Sequence, residues 1–167
     1  MCIRDSRDGI DITNAQFYEK LVSSKVMPTT SVPSLDSFAR TYARLAEETD
    51  EILVIMLSSK LSGLHNAALQ SVGLLENKCR IEVLDSGCAV MAQGLVVIKA
   101  ARAAQAGANL DEIMEIVRRN LPRVEMRAAF DTLEYLQRGG RIGKAQALMG
   151  SIPVSYTHLT LPTILRV

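Results

Sequence analysis

Ile52-Leu53-Val54-Ile55-Met56-Leu57, followed at once by Ser58-Ser59-Lys60-Leu61-Ser62-Gly63, is the stretch that decides the fold. An unbroken apolar run of that length, closed by a polar turn, reads as a strand buried on both faces, the pattern of a parallel sheet covered by helices. The hydroxyl-rich loop then opens an amphipathic helix, from about Ser62 to Leu75, and Lys78-Cys79-Arg80 leads into a second strand, Ile81-Glu82-Val83-Leu84. A loop between a strand end and a helix start is where open α/β sheets bind ligands, because helix starts carry unpaired N–H donors and a partial positive charge.

Outward from this core the alternation continues. Upstream, Thr13 caps a predicted helix over Asn14 to Leu21, which places Phe17 and Leu21 on one face, and the helix ends before Pro28. A second hydroxyl-rich loop, Thr29-Thr30-Ser31-Val32-Pro33-Ser34, opens a helix carrying Phe38, Tyr42 and Leu45, and an acidic turn over Glu47 to Glu51 leads into the strand. Downstream, Asp85-Ser86-Gly87 is a turn, Ala89 to Ala106 is a helix stopped by Gly107, and Leu110 to Arg119 is a shorter helix. Pro122 separates that helix from a strand over Val124 to Phe130. This order predicts an α/β fold with a mainly parallel sheet flanked by helices, without repeat or interdomain linker.

The chain's two ends form a pair. Met1-Cys2-Ile3-Arg4-Asp5 can be encoded by ATG TGT ATA AGA GAC, and the reverse complement of that string encodes Val154-Ser155-Tyr156-Thr157-His158. The nucleotide pair resembles a transposon end used in sequencing libraries, so residues 1–6 and 153–167 are expected to be adapter-derived, with 7–152 the authentic domain, incomplete at both ends. Within 7–152 there are 17 basic and 17 acidic residues, a balance that does not call for nucleic acid. Aromatics make up only 4% of the chain, so no stacking platform for bases is evident. No apolar run approaches the roughly 18 residues of a membrane span. With Cys2 set aside, Cys79 and Cys88 lack metal or redox spacing and read as reduced thiols of a cytoplasmic protein.

Thr30 and Ser62 are the first candidates for ligand contact, since a hydroxyl can donate to a carboxylate without the desolvation cost of a buried positive charge. Ser31, Ser59 and Ser86 are further candidates; helix capping is the alternative for Thr29, Ser34 and Ser59, and turn or cap duty is the stronger role for Asp85 and Asp131. Gln137-Arg138-Gly139-Gly140-Arg141-Ile142-Gly143-Lys144 offers flexible backbone and cations, so Arg138 and Arg141 are candidates for a phosphate or an acidic partner, against the alternative of a solvated turn. It is neither a P-loop nor a dinucleotide loop. His65, the one histidine inside 7–152, sits too close after Ser62 on the same helix to serve as its general base, and zinc would have too few ligands. No catalytic residue, metal or cofactor is expected.

Taken in order, Pro28 to Ser34, Leu57 to Gly63, Leu84-Asp85-Ser86 and Phe130-Asp131-Thr132-Leu133-Glu134-Tyr135-Leu136-Gln137-Arg138-Gly139-Gly140-Arg141-Ile142-Gly143 resemble the DegV family of fatty-acid-binding proteins across nearly all of 7–152. The resemblance implies a DegV-like first domain, related in fold to a dihydroxyacetone kinase subunit, that holds a long-chain fatty acid with help from a second domain. It also implies carboxylate contacts from Thr30 and from Ser62 rather than Ser59. Some bacterial members present the acyl group to a separate fatty acid kinase that makes an acyl phosphate for phospholipid synthesis, the binding protein itself performing no chemistry. Two departures from the family pattern, Val32 in place of Gln and Leu64-His65-Asn66-Ala67 in place of Thr-Tyr-Gln-Ser, leave both hydroxyls standing. Two alternatives accompany this expectation: a dihydroxyacetone-kinase-like phosphoryl-transfer subunit, for which His65 is the one candidate for a covalent or coordinating histidine, and a regulatory interaction module using Arg138 to Lys144.

Overall fold

The computed structural model describes residues 6, 9–75, 79–124, 127–130, 132–143 and 163–166, the side chains of 127–130 and 163–166 excepted. The chain divides into two compact units, 1–31 and 32–167. In the first, α1 (Asn14–Ser23) starts with a capping box: Gln16 N donates to the Thr13 hydroxyl, and Thr13 N donates to the Gln16 side-chain oxygen. Phe17 and Tyr18 meet edge-on, with ring centroids 5.5 Å apart. Beyond Ser23 a segment without regular secondary structure carries Pro28, Thr29, Thr30 and Ser31, all four exposed.

In the second unit Ser34 caps α2 (Leu35–Leu45) through its hydroxyl, which accepts from Ser37 N at 3.3 Å, as the sequence pattern predicts. The apolar run forms β1 (Glu51–Met56), which pairs in parallel with β2 (Arg80–Asp85) in a continuous register from Glu51 opposite Arg80 to Met56 opposite Asp85. Parallel strands need a crossover, and α3 (Leu64–Val72) supplies it. The predicted start at Ser62 moves to Leu64, because Ser58 O accepts from Leu61 N at 3.0 Å and from Ser62 N at 3.3 Å, and this turn occupies the residues before the helix.

After β2 come α4 (Val90–Gln105) and α5 (Leu110–Asn120). Gly107 ends α4 as expected, at φ +88°, while Ala108 N reaches back to Ala103 O at 3.1 Å. Asn109 and Glu112 form a second capping box at the start of α5. Alternation along the strands puts Leu53, Ile55 and Leu84 on one face, and there they pack with Val96 and Ala100 of α4 and Leu110, Ile113, Met114 and Val117 of α5. Tyr42 of α2 is buried, and its hydroxyl donates to Ala68 O of α3 at 3.1 Å, so the helices that follow the two hydroxyl-rich loops are joined to each other.

The parallel sheet flanked by helices is as expected; the far end of the chain adds a strand pair whose second member, 163–166, lies in the stretch 153–167 expected to be adapter-derived. A short 3-10 turn over Leu121–Arg123 contains Pro122, and β3 (Arg127–Phe130) pairs antiparallel with β4 (Thr163–Arg166), not with β1 or β2. Among the described residues the parallel sheet therefore has two strands and the antiparallel pair stands as a second sheet. Helix α6 (Glu134–Arg138) lies between β3 and β4 in sequence.

Candidate functional site at the carboxyl edge of the parallel sheet

Because β1 and β2 are parallel and in register at Met56 and Asp85, the residues after both strands emerge at one sheet edge. Ser58 organises this edge. It is fully buried, and its N–H donates to Cys88 O at 2.7 Å. Its carbonyl accepts from Leu61 and Ser62 as described, and its hydroxyl accepts from Lys60 N at 3.3 Å. The loop from Ser58 to Gly63 is thus wound around one buried serine. Ser86 is buried on the neighbouring turn: its N–H donates to Met56 O at 3.0 Å, while its hydroxyl accepts from Cys88 N at 3.2 Å and donates to Cys88 O at 3.3 Å.

Asp85 ties the two turns together. Both of its carboxylate oxygens lie 3.2 Å from Ser59 N, and one accepts from Gly87 N at 2.9 Å. Gly87 stands at φ +62°, a conformation that glycine adopts without steric cost. Burial works to raise the Asp85 pKa, but hydrogen bonds from the Ser59 hydroxyl, Gly87 N and Ser59 N, with the nearby His65, outweigh it and hold the carboxyl below its ordinary value. The Cys88 thiol is pushed up by burial and then by Asp85, so it stays protonated near neutral pH and is a poor nucleophile. Val90, the first residue of α4, has φ +47°, which is strained for a β-branched side chain.

The hydroxyls of the second loop therefore have different duties. Ser59 is committed to Asp85, as just described. Ser62 is half-buried just ahead of α3, and its oxygen accepts from Leu64 N at 3.4 Å, a role that uses a lone pair and leaves its proton able to donate elsewhere. Ser86 is spent locally on Cys88. Within the second unit Val32 lies beside Gly63, where an added methyl group would meet its Cγ2 at 3.8 Å. Thr30 and Ser31 belong to the first unit, on its exposed segment after α1.

His65 is half-buried as the second residue of α3, rather than one turn into a helix begun at Ser62. Arg138 is exposed and pairs with Glu134 at 3.0 Å, and Arg141 donates to Gly139 O at 2.6 Å, beside Gly140 at φ +69°. Thr132 accepts from Glu134 N at 3.1 Å after β3; Asp131 lies outside the described residues. Sequence reasoning did not single out Ser58. The signal available was its position as the first polar residue after the apolar strand. Among the described residues no His, Cys, Asp and Glu side chains converge into a metal-binding group, and no helix is long and apolar enough to cross a membrane.

This βαβ edge, with a hydroxyl-rich loop ahead of its crossover helix, belongs to the open α/β class, in which strand ends and helix starts are common places for ligands. The family model described as uncharacterised protein, DegV family, matches residues 4–153, and the chain belongs to the DegV family. A DegV domain-containing protein of Caldanaerobacter subterraneus subsp. tengcongensis is 38% identical over 146 residues, covering 87% of this chain and 51% of the relative. In structure, the chain is similar to a DegV family protein from Thermus thermophilus described by its fatty acid binding, with a TM-score of 0.77, 34% identity and coverage of 94% and 53% of the two chains. It is also similar to DegV of Bacillus subtilis, a fatty acid binding protein, with a TM-score of 0.75, 29% identity and coverage of 91% and 52%. A stearic-acid-binding protein from Eubacterium ventriosum gives a TM-score of 0.72 at 28% identity, with coverage of 84% and 50%. The chain spans about half the length of the relatives it matches.

Proposed function

We propose that this protein binds a long-chain fatty acid, takes the acyl carboxylate on the hydroxyls of Thr30 and Ser62, and presents it in the cytoplasm to a separate fatty acid kinase, without itself performing chemistry. The observation that carries the proposal is the Ser58-centred loop. It sets the Ser62 hydroxyl just ahead of α3, at the sheet edge, in a chain whose solved relatives include fatty-acid-binding proteins. Thr30 enters by its place in the family's first hydroxyl motif. Hydroxyls suit this task because they neutralise a carboxylate by hydrogen bonding while remaining cheap to leave in a half-buried, unliganded site.

Organic extraction of the purified protein followed by mass spectrometry tests the proposal. Long-chain fatty acid in the extract, or taken up by delipidated protein from an added mixture, is the expected result. An empty extract together with no uptake contradicts it. For the kinase step, addition of the loaded protein to a bacterial fatty acid kinase and ATP should yield acyl phosphate, and a loaded protein that no such kinase accepts would remove that part.

A further inference from the structure

Asp85 is an anion placed beside a loop assigned to hold another anion. By charge alone it opposes ligand binding, since like charges a few ångströms apart repel. Its hydrogen bonds tell against a purely electrostatic part: three contacts of 2.9 to 3.2 Å run to two backbone N–H groups, one on each of the turns that meet at the sheet edge. Ser59 N belongs to the loop and Gly87 N to the turn after β2, and Ser58 N to Cys88 O at 2.7 Å makes a second stitch in parallel. We infer that Asp85 is a positioning residue for the acyl carboxylate: by clamping Ser59 to the end of β2 it fixes the turn that aims the Ser62 hydroxyl at the head group.

The inference rests on the fatty-acid reading of Ser62, and it goes beyond that reading by assigning selectivity for the charged head group to a residue that need not touch the ligand. Two substitutions separate position from charge. Asp85→Asn removes the charge, replaces the second oxygen that accepts from Ser59 N with an NH2 donor, and strips the remaining bonds of their charge assistance. Asp85→Glu keeps the charge and displaces the oxygens by a methylene. The groups that interact with Asp85 and could confuse the result are His65 at the start of α3 and the Cys88 thiol, so binding of the parent and both variants is measured at a single pH.

Dissociation constants for palmitate and for methyl palmitate are measured on the 167-residue chain and both variants. Both variants should weaken palmitate about tenfold, the scale of one charge-assisted hydrogen bond lost from the head group, while methyl palmitate changes less than about twofold. A charge role alone predicts the opposite sign for Asp85→Asn, tighter palmitate, with Asp85→Glu unchanged; that pattern overturns the inference. Equal weakening of acid and ester also overturns it, because general loosening of the fold would act on both. If Asp85→Asn does not fold, the Asp85→Glu comparison decides by the same criteria. If the unsubstituted chain binds neither compound, the fatty-acid reading fails by itself, and hydrogen exchange then judges the clamp. Faster exchange at Ser59, Ser62 and Gly63 in Asp85→Glu, with β1 and β2 protected, upholds it, and unchanged exchange refutes it.

Discussion

Replacing Ser62 with alanine, alongside Ser59 with alanine, tests the division of labour within one loop. Among the described residues the Ser62 hydroxyl has one weak role, accepting from Leu64 N at 3.4 Å, so its loss should cost the fold little. The proton it donates to a carboxylate makes a hydrogen bond to a charged group, worth about 1.5 to 3 kcal/mol, so affinity should fall by roughly 10-fold to 150-fold. The Ser59 hydroxyl instead serves Asp85, and its deletion leaves the Ser59 N–H still bonded to both carboxylate oxygens. Its effect on affinity is indirect, since the backbone clamp survives, and should therefore stay below about fivefold. Displacement of a fluorescent polyene fatty acid gives both constants, with thermal unfolding run on the same samples to check the fold. A Ser62→Ala protein that binds as tightly as the parent, with Ser59→Ala losing tenfold or more, would refute the argument and move the contact to Ser59.

Other expectations concern the scaffold. Tyr42→Phe removes the hydroxyl that joins α2 to Ala68 O, and since that carbonyl keeps its helical partner the loss should be about 1 kcal/mol in urea unfolding; a change near zero would mean the link contributes nothing. Val117 is 1% exposed in the α4–α5 core, so Val117→Ala should cost about 2 kcal/mol from two buried methyl groups and the space they leave. Val90 is 76% exposed at φ +47°, so Val90→Asn loses no packing and should gain about 1 kcal/mol, seen as a higher Tm; a lower Tm would show that the strain is not there. Because the carboxyl of Asp85 is held below its ordinary pKa, its contribution to stability is complete above the usual carboxylate range and is lost as pH falls through the lowered value. Asp85→Asn should flatten the acid limb of the stability profile, and an identical limb in the variant would deny Asp85 that share.

Local chemistry carried most of the fold into view. Thr13, Ser34 and Gly107 announce helix ends through side-chain caps and positive φ, and the apolar run of β1 announces a parallel strand, although only Ile52 of it is buried and Leu53 to Met56 are half-buried rather than covered on both faces. The start of α3 is misplaced because a hydroxyl at Ser62 looks like a cap, whereas a backbone carbonyl four residues back, at Ser58, claims its amide. The partner of β3 is not legible, because 163–166 falls within the stretch 153–167 expected to be adapter-derived and strand pairing is a choice among distant segments that no local pattern specifies. The same limit applies at the site. Motif order brought forward Ser62, but the buried keystone Ser58 and the clamp at Asp85 depend on β1 and β2 ending side by side, a tertiary fact.

Head-group discrimination tests the central claim most directly. Calorimetric titration of the delipidated protein with palmitate and with methyl palmitate compares ligands that share a tail and differ in whether a charged carboxylate reaches the hydroxyls. The account predicts that palmitate binds at least about tenfold more tightly, the worth of one charge-assisted hydrogen bond, and that Ser62→Ala removes most of the difference. Equal affinity for acid and ester, unaffected by Ser62→Ala, would contradict it.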